Sequence, residues 1–197
     1  MRFKLFGTEI YISFLFAAVI TLMILFDRTG MAVPTLSAVI IHETAHLFVM
    51  WALECAPKKV KLIPASVQIT ASFTRQYKND IIIAVCGPIA NFVLFLTLYL
   101  NYLAYRNDTS LYYALINLLI GSFNSLPVWG LDGGTVLYCI LAKRYSPRTS
   151  ETAVKLITLI LAVAVIIAAI ILTLKAKLNI TLYIMGIYLI VMCIIKN

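Results

Sequence analysis

Six stretches of the chain are apolar almost without interruption: Ile10 to Phe26, Met31 to Leu53, Ile81 to Tyr105, Leu111 to Leu126, Ala153 to Leu174 and Leu178 to Ile195. Each has roughly the ~17–25 residues that a helix needs to cross the hydrocarbon core of a bilayer. The pattern therefore predicts an all-α polytopic membrane protein with about six transmembrane helices. One segment follows another rule. Between the second and third runs, Val67, Ile69, Ala71 and Phe73 alternate with Ser66, Gln68, Thr70, Ser72 and Thr74, a strict period of two. With Lys59 to Ile63 ahead of Pro64, this predicts a small β-hairpin on the cytoplasmic side. Its free edge could hold an extended peptide by strand addition, and a hairpin that merely lies on the membrane surface suits the same pattern. No internal repeat, low-complexity tract or long polar linker divides the chain, so a single domain over residues 1–197 is expected.

Composition agrees with the hydrophobic pattern. The chain is 62% hydrophobic and 12% charged, half the ~25% charged fraction of an ordinary soluble domain. Its net charge of +8 would suit a nucleic-acid binder, but topology accounts for it. With an even number of crossings, one side collects twelve of the sixteen Lys and Arg, from Arg2 and Lys4 to Lys196, and the other only Arg28, Arg106, Lys175 and Lys177. The positive-inside rule then puts both termini in the cytoplasm, and no nucleic-acid partner is required. Arg2 and Lys4 before an apolar run imitate a signal peptide, but the run is long and lacks a small-residue cleavage site, so an uncleaved first helix is expected. Cys55, Cys86, Cys139 and Cys193 form no CxxC pair, which argues against a disulfide framework or a thiolate metal knuckle and for apolar fillers.

The candidate chemistry begins at His42-Glu43-Thr44-Ala45-His46, inside the second apolar run. On a helix, imidazoles four residues apart stand on one face, where their nitrogens can share one Zn2+, and the Glu beside them can handle a water. These are the chain's two histidines, and chance would give this spacing with the following Glu on the order of twice in ten thousand. Ionisable groups at membrane depth are also costly enough to count as functional by default.

A catalytic zinc usually takes three protein ligands, and no histidine remains. Glu54 lies about 12 Å along the helix axis from His46, while Asp27 and Asp108 fall on the opposite side by the expected topology. Asp132 follows the fourth apolar run on the side toward which His46 lies, about 10 Å deep. It sits in Asn124-Ser125-Leu126-Pro127-Val128-Trp129-Gly130-Leu131-Asp132-Gly133-Gly134, a break of the kind tolerated at membrane depth where it is buried or lines a wet cavity. Asp132-Gly133-Gly134 also suits a plain turn or a helix N-cap, and Asp80 is a second candidate ligand.

At these residues the chain resembles the site-2 proteases, intramembrane zinc metalloproteases. The likeness rests on His42 to His46, on Gly87-Pro88-Ile89-Ala90-Asn91, and on Asn124 to Gly134 with its Leu-Asp-Gly-Gly ending; together they span about half the chain. It is nearest in type to the stage IV sporulation FB branch, without a PDZ insertion and without the C-terminal cystathionine-β-synthase-type domain of many relatives. Gly130 departs from that branch, which usually has a second proline there.

The resemblance implies that His42, His46 and Asp132 ligate Zn2+. It makes Glu43 the general base that activates water and passes its proton to the leaving amine. Asn124 would bind substrate backbone or the developing oxyanion, or else simply tie down a helix end. Gly87 and Pro88 would bend or thin the third span beside the metal helix, with Asn91 reaching a backbone group freed by the proline. The expected substrate is a membrane-associated regulatory precursor, such as a pro-sigma or anti-sigma factor, cut in the bacterial cytoplasmic membrane, with regulatory membrane partners and a role in sporulation to match. The rivals from other classes are a ZIP-like divalent metal transporter, which calls for a second polar cluster along its pathway, and a noncatalytic membrane scaffold.

Overall fold

The computed structural model describes residues 2–5, 8–55, 57–63, 66–71, 76–174 and 180–195. Each apolar run holds a helix: α1 (Phe14–Leu25), α2 (Ala32–Ala52), α3 (Tyr77–Tyr105), α4 (Asp108–Asn124), α6 (Pro147–Leu174) and α7 (Ile180–Ile195). A seventh, α5 (Asp132–Ala142), begins at the candidate ligand. Among the described residues, α2, α3 and α6 are long and apolar enough to cross a membrane. The expected count of six spans is not reached. The physical reason is clearest in α1, where the apolar run from Ile10 first passes through a strand, leaving 12 helical residues. At 1.5 Å each these reach about 18 Å, against a hydrocarbon core of about 30 Å.

Beside the helices, the described residues also include strands. Strands β1 (Arg2–Leu5), β2 (Thr8–Ile12), β3 (Pro57–Ile63) and β4 (Ser66–Ala71) form one sheet in the order β1-β2-β3-β4. β3 and β4 are antiparallel, with Val60 opposite Ile69 and Leu62 opposite Val67. They do not stand alone as the expected hairpin, because β2 lies parallel along the other side of β3, pairing Ile10 with Val60 and Ile12 with Leu62. The alternation of Arg2 and Lys4 with Phe3 and Leu5 is the period-two signal for β1. Pro64 and Ser72 to Thr74, part of the expected hairpin, lie outside the described residues.

By their internal contacts, residues Met1–Ser122 and Phe123–Asn197 form two compact units. In the first, α2 buries Ala32, Pro34, Ala38, His42, His46 and Met50, a stripe repeating mainly every four residues. α3, packed against it, buries Ala84, Gly87, Pro88 and Asn91. Small residues in these stripes let the two backbones approach closely, the usual solution where lipid offers no hydrophobic drive. The start of α2 is held by Asp27. Its Oδ2 accepts from the Ala32 N–H at 2.8 Å and its Oδ1 from the Thr29 N–H and hydroxyl. These bonds, that of Ala32 first, lower the carboxyl pKa to about 2. A negative charge there also complements the helix N-terminus.

In the second unit α6 packs against α5 and α7. Its buried stripe, Ser150, Val154, Thr158, Ala162 and Ala169, leaves Ile160, Ile167 and Ile171 exposed on its outer surface. That surface suits lipid rather than water.

Candidate metal site

The three HExxH positions that matter lie on α2 where the helical period puts them. His42 and His46 are buried, at 4% and 6% exposure, and Glu43 beside them is half-buried. The two rings meet edge to face with centroids 4.8 Å apart, and their Nε2 atoms are 3.1 Å from each other.

What holds the rings lies on other helices. His46 Nδ1 is 2.7 Å from the carbonyl oxygen of Ile83, and His42 Nδ1 is 2.6 Å from Oδ1 of Asn91. A carbonyl oxygen only accepts, so Nδ1 of His46 must carry its proton, and in the neutral ring Nε2 then bears the lone pair. The same follows for His42 from the orientation of the Asn91 amide. Two nitrogen lone pairs pointed together at this range repel unless a cation lies between them. The arrangement fits a divalent metal: neutral imidazoles, ligating through Nε2, each with its other N–H committed to an oxygen acceptor.

Gly87 makes room for this. A Cβ added there would collide with His46 Nε2 and would stand 2.6 Å from His46 Cε1 and 2.8 Å from His42 Cε1. The glycine therefore sets how near α3 comes to the imidazoles. Cys86 next to it gives its thiol hydrogen to Ile83 O at 2.9 Å and lies 3.5 Å from His46 Nδ1. Asn91 does not bond back to its own helix as the sequence led us to expect. Its amide nitrogen donates to Ala38 O on α2 and to Asn117 Oδ1 on α4. The bond to His42 was missed, although an amide in the middle of an apolar run is a signal that something polar awaits it.

The second unit contains the other candidate residues. Asn124, half-buried, is the last residue of α4. After it, the Leu131 N–H bonds to Val128 O at 3.0 Å, closing a four-residue turn in which Gly130 has φ +97. With a positive φ at the third position alone, this is a type II turn, which favours glycine there. Proline, locked near φ −65°, cannot take this conformation, which explains in structural terms why Gly130 departs from the resembled pattern. The turn is fastened to α6: the Trp129 N–H donates to Thr158 Oγ1 at 2.7 Å, and the Lys155 ammonium stands 5.3 Å from the centroid of the Trp129 ring.

Asp132 is the first residue of α5, with Leu131 as N-cap and no side-chain cap bond at that end. Its half-buried carboxylate is thus in the first turn of a helix rather than at the capping position, where the N-terminal dipole favours a negative charge. Gly133 and Gly134 let α5 begin this close to the preceding loop. A Cβ on the first would strike the carbonyls of Ser125 and Leu126, and on the second the carbonyl of Val128.

No family model matches the chain. Over 114 residues it is 28% identical to a zinc metalloprotease of Methanocaldococcus jannaschii, a stretch that is 55% of this chain and 33% of the relative. The chain spans about a third of the length of that relative. A solved structure of a site-2 protease from the same organism superposes with a TM-score of 0.73, covering 98% of this chain and 93% of the other at 22% sequence identity. The fold is that of a site-2 protease.

Proposed function

We propose that this chain is an intramembrane zinc metalloprotease of the site-2 type that hydrolyses a peptide bond in or near a membrane segment of another protein. The observation that carries the reading is the histidine pair, two imidazoles with both Nδ1–H groups tied to oxygens and their Nε2 atoms 3.1 Å apart, next to Glu43 on a helix long enough to span a bilayer. The zinc metalloprotease relative and the site-2 protease fold support it.

We assign His42 and His46 of the first unit and Asp132 of the second as the zinc ligands. When bound, zinc supplies Lewis acidity toward water and the peptide carbonyl. Glu43 takes the proton of the attacking water and delivers it to the amine that leaves, so one water is consumed and one C–N bond broken. Asn124 is assigned to the substrate backbone or the developing oxyanion. A membrane helix hides its peptide groups, so the substrate must be held extended, and β4, the outermost strand next to β3, offers an edge for it by strand addition. The lipid bilayer is the working environment. The proposed substrates are regulatory precursors such as pro-sigma or anti-sigma factors in a bacterial cytoplasmic membrane, with both termini of this chain in the cytoplasm and a place in sporulation as the finer expectation.

The test compares cells carrying the wild type with cells carrying Glu43→Gln, by proteomics of their membranes and by metal analysis of the purified proteins. Both proteins should bind zinc stoichiometrically, and uncut precursors should accumulate only with the variant. Identical fragments in the two membranes would remove Glu43 from the reaction. A wild type that takes up no zinc, or that carries zinc across liposomes without proteolysis, would overturn the reading as a whole.

A further inference from the structure

Two amides inside the first unit are fully buried: Asn91 on α3, the acceptor for His42 Nδ1, and Asn117 on α4, which has had no part so far, each with no exposed surface. Burying an amide in an apolar interior costs several kcal/mol unless its polar atoms are satisfied, so the bonds they make decide what they are for. The Asn117 amide nitrogen donates to Tyr113 O at 2.8 Å. Because that carbonyl can only accept, the nitrogen of the amide must face it, and Asn117 Oδ1 is turned to Asn91. The Asn91 nitrogen in turn gives one hydrogen to Asn117 Oδ1 at 2.9 Å and the other to Ala38 O at 3.2 Å.

Both amide hydrogens of Asn91 are now used. Rotating this amide by half a turn would put its oxygen against two acceptors, so Oδ1 is fixed toward His42 Nδ1, 2.6 Å away. The polarity of the chain of bonds runs one way, from His42 through Asn91 to Asn117, and ends on main-chain carbonyls. Two neighbouring glycine and proline positions leave the pair little freedom: a Cβ on Gly121 would already be 3.1 Å from Asn91 Cβ and 3.3 Å from Pro88 O.

We propose that Asn91 and Asn117 are a pair of positioning residues that fix His42 as the Nδ1–H tautomer, aim its Nε2 at the zinc, and thereby make α4 part of the metal site. The inference rests on the metal reading of His42 and His46 and adds a function to a helix that supplies no ligand from this unit. It also separates the two imidazoles. His46 is set by a main-chain carbonyl, which mutation cannot remove, whereas His42 depends on two side chains.

The experiment measures zinc affinity by chelator competition on detergent-purified full chains. It also follows the 15N-resolved Nδ1–H signal of His42 and its solvent exchange, with and without zinc. Asn91→Leu, close in volume, should weaken zinc by about 100-fold and Asn117→Leu by about 10-fold, with the His42 Nδ1–H exchanging faster in both. Asn91→Asp keeps an acceptor for His42 but sets its second oxygen against Ala38 O and Asn117 Oδ1, so it should bind zinc more weakly than the wild type yet more tightly than Asn91→Leu, a partial rescue that a purely space-filling role does not predict. Should Asn91→Leu fail to fold, Asn117→Leu and the Asp rescue carry the test. Wild-type affinity and unchanged exchange in Asn117→Leu, or a loss with Asn91→Asp equal to that with Asn91→Leu, would overturn the proposal. If the wild type itself bound no zinc, the metal reading would fall, while the Nδ1–H exchange would still report whether the relay exists.

Discussion

The two regions that carry the candidate ligands are built by opposite means. Around His42 and His46, geometry is set mainly by side chains: two buried amides and one borrowed carbonyl decide which nitrogen of each ring holds the proton. Around Asp132 it is set by the backbone, through a type II turn, a hydroxyl under the Trp129 N–H and two glycines that let α5 begin against the preceding loop. The histidine region can therefore lose its chemistry while keeping its fold, and the aspartate region should lose both together.

Substituting one glycine in each region gives the sharpest contrast. In Gly87→Ala the new methyl meets the far ends of two imidazoles. The rings cannot swing aside without leaving Asn91 and Ile83, so zinc affinity should fall by about 100-fold or more while thermal stability changes little. In Gly134→Ala the methyl meets the main chain of Val128 and Trp129, which cannot yield locally. A loss of about 3 kcal/mol, seen as a fall in Tm of about 6–12 °C, should accompany any loss of zinc. Equal Tm values for the two variants would erase the contrast.

A smaller effect is expected at Gly130. An L-residue pays about 1–2 kcal/mol for a left-handed conformation, so Gly130→Ala should lower Tm by a few degrees. Gly130→Pro, although it restores the residue common in the resembled branch, should cost more because its ring forbids φ +97. A more stable proline variant would show that the turn is of another type.

The smallest effect is at Asp27, away from both regions. Its pKa, lowered from 3.8 to about 2, stabilises the folded state above the unfolded value, and that contribution is lost as pH falls toward the folded one. Asp27→Asn should remove this dependence, so that unfolding followed between about pH 4 and pH 2 becomes flatter than in the wild type. Zinc affinity at neutral pH should be unaffected.

What could be read in the sequence follows the same division. His42, Glu43 and His46 are legible because four residues of one helix fix their relation, and the Gly and Pro around Asp132 announce a break before any fold is known. The partners of His42 were not legible, since Asn91 and Asn117 become neighbours only when α3 and α4 pack and nothing in either helix names the other. The conformation at Gly130 could not be read either: the sequence marked it as a missing proline, and its positive φ made that absence a requirement. At the start of the chain, Ile10 to Ile12 extend an apolar run, and such a run cannot tell strand from helix by its period. The charged Arg2 and Lys4 fit a flank of a membrane helix as well as they fit alternate positions of β1.

The parallel pairing of β2 with β3 has a consequence for sidedness. Ile12 and Leu62 are neighbours in one sheet, yet α1 and α2 lie between them in the chain, so the path that departs after Ile12 has to make a return trip by Leu62. Whatever layer α2 pierces, the strands before α1 and those after α2 sit on the same shore, a constraint imposed by hydrogen bonds and independent of any count of lysines and arginines.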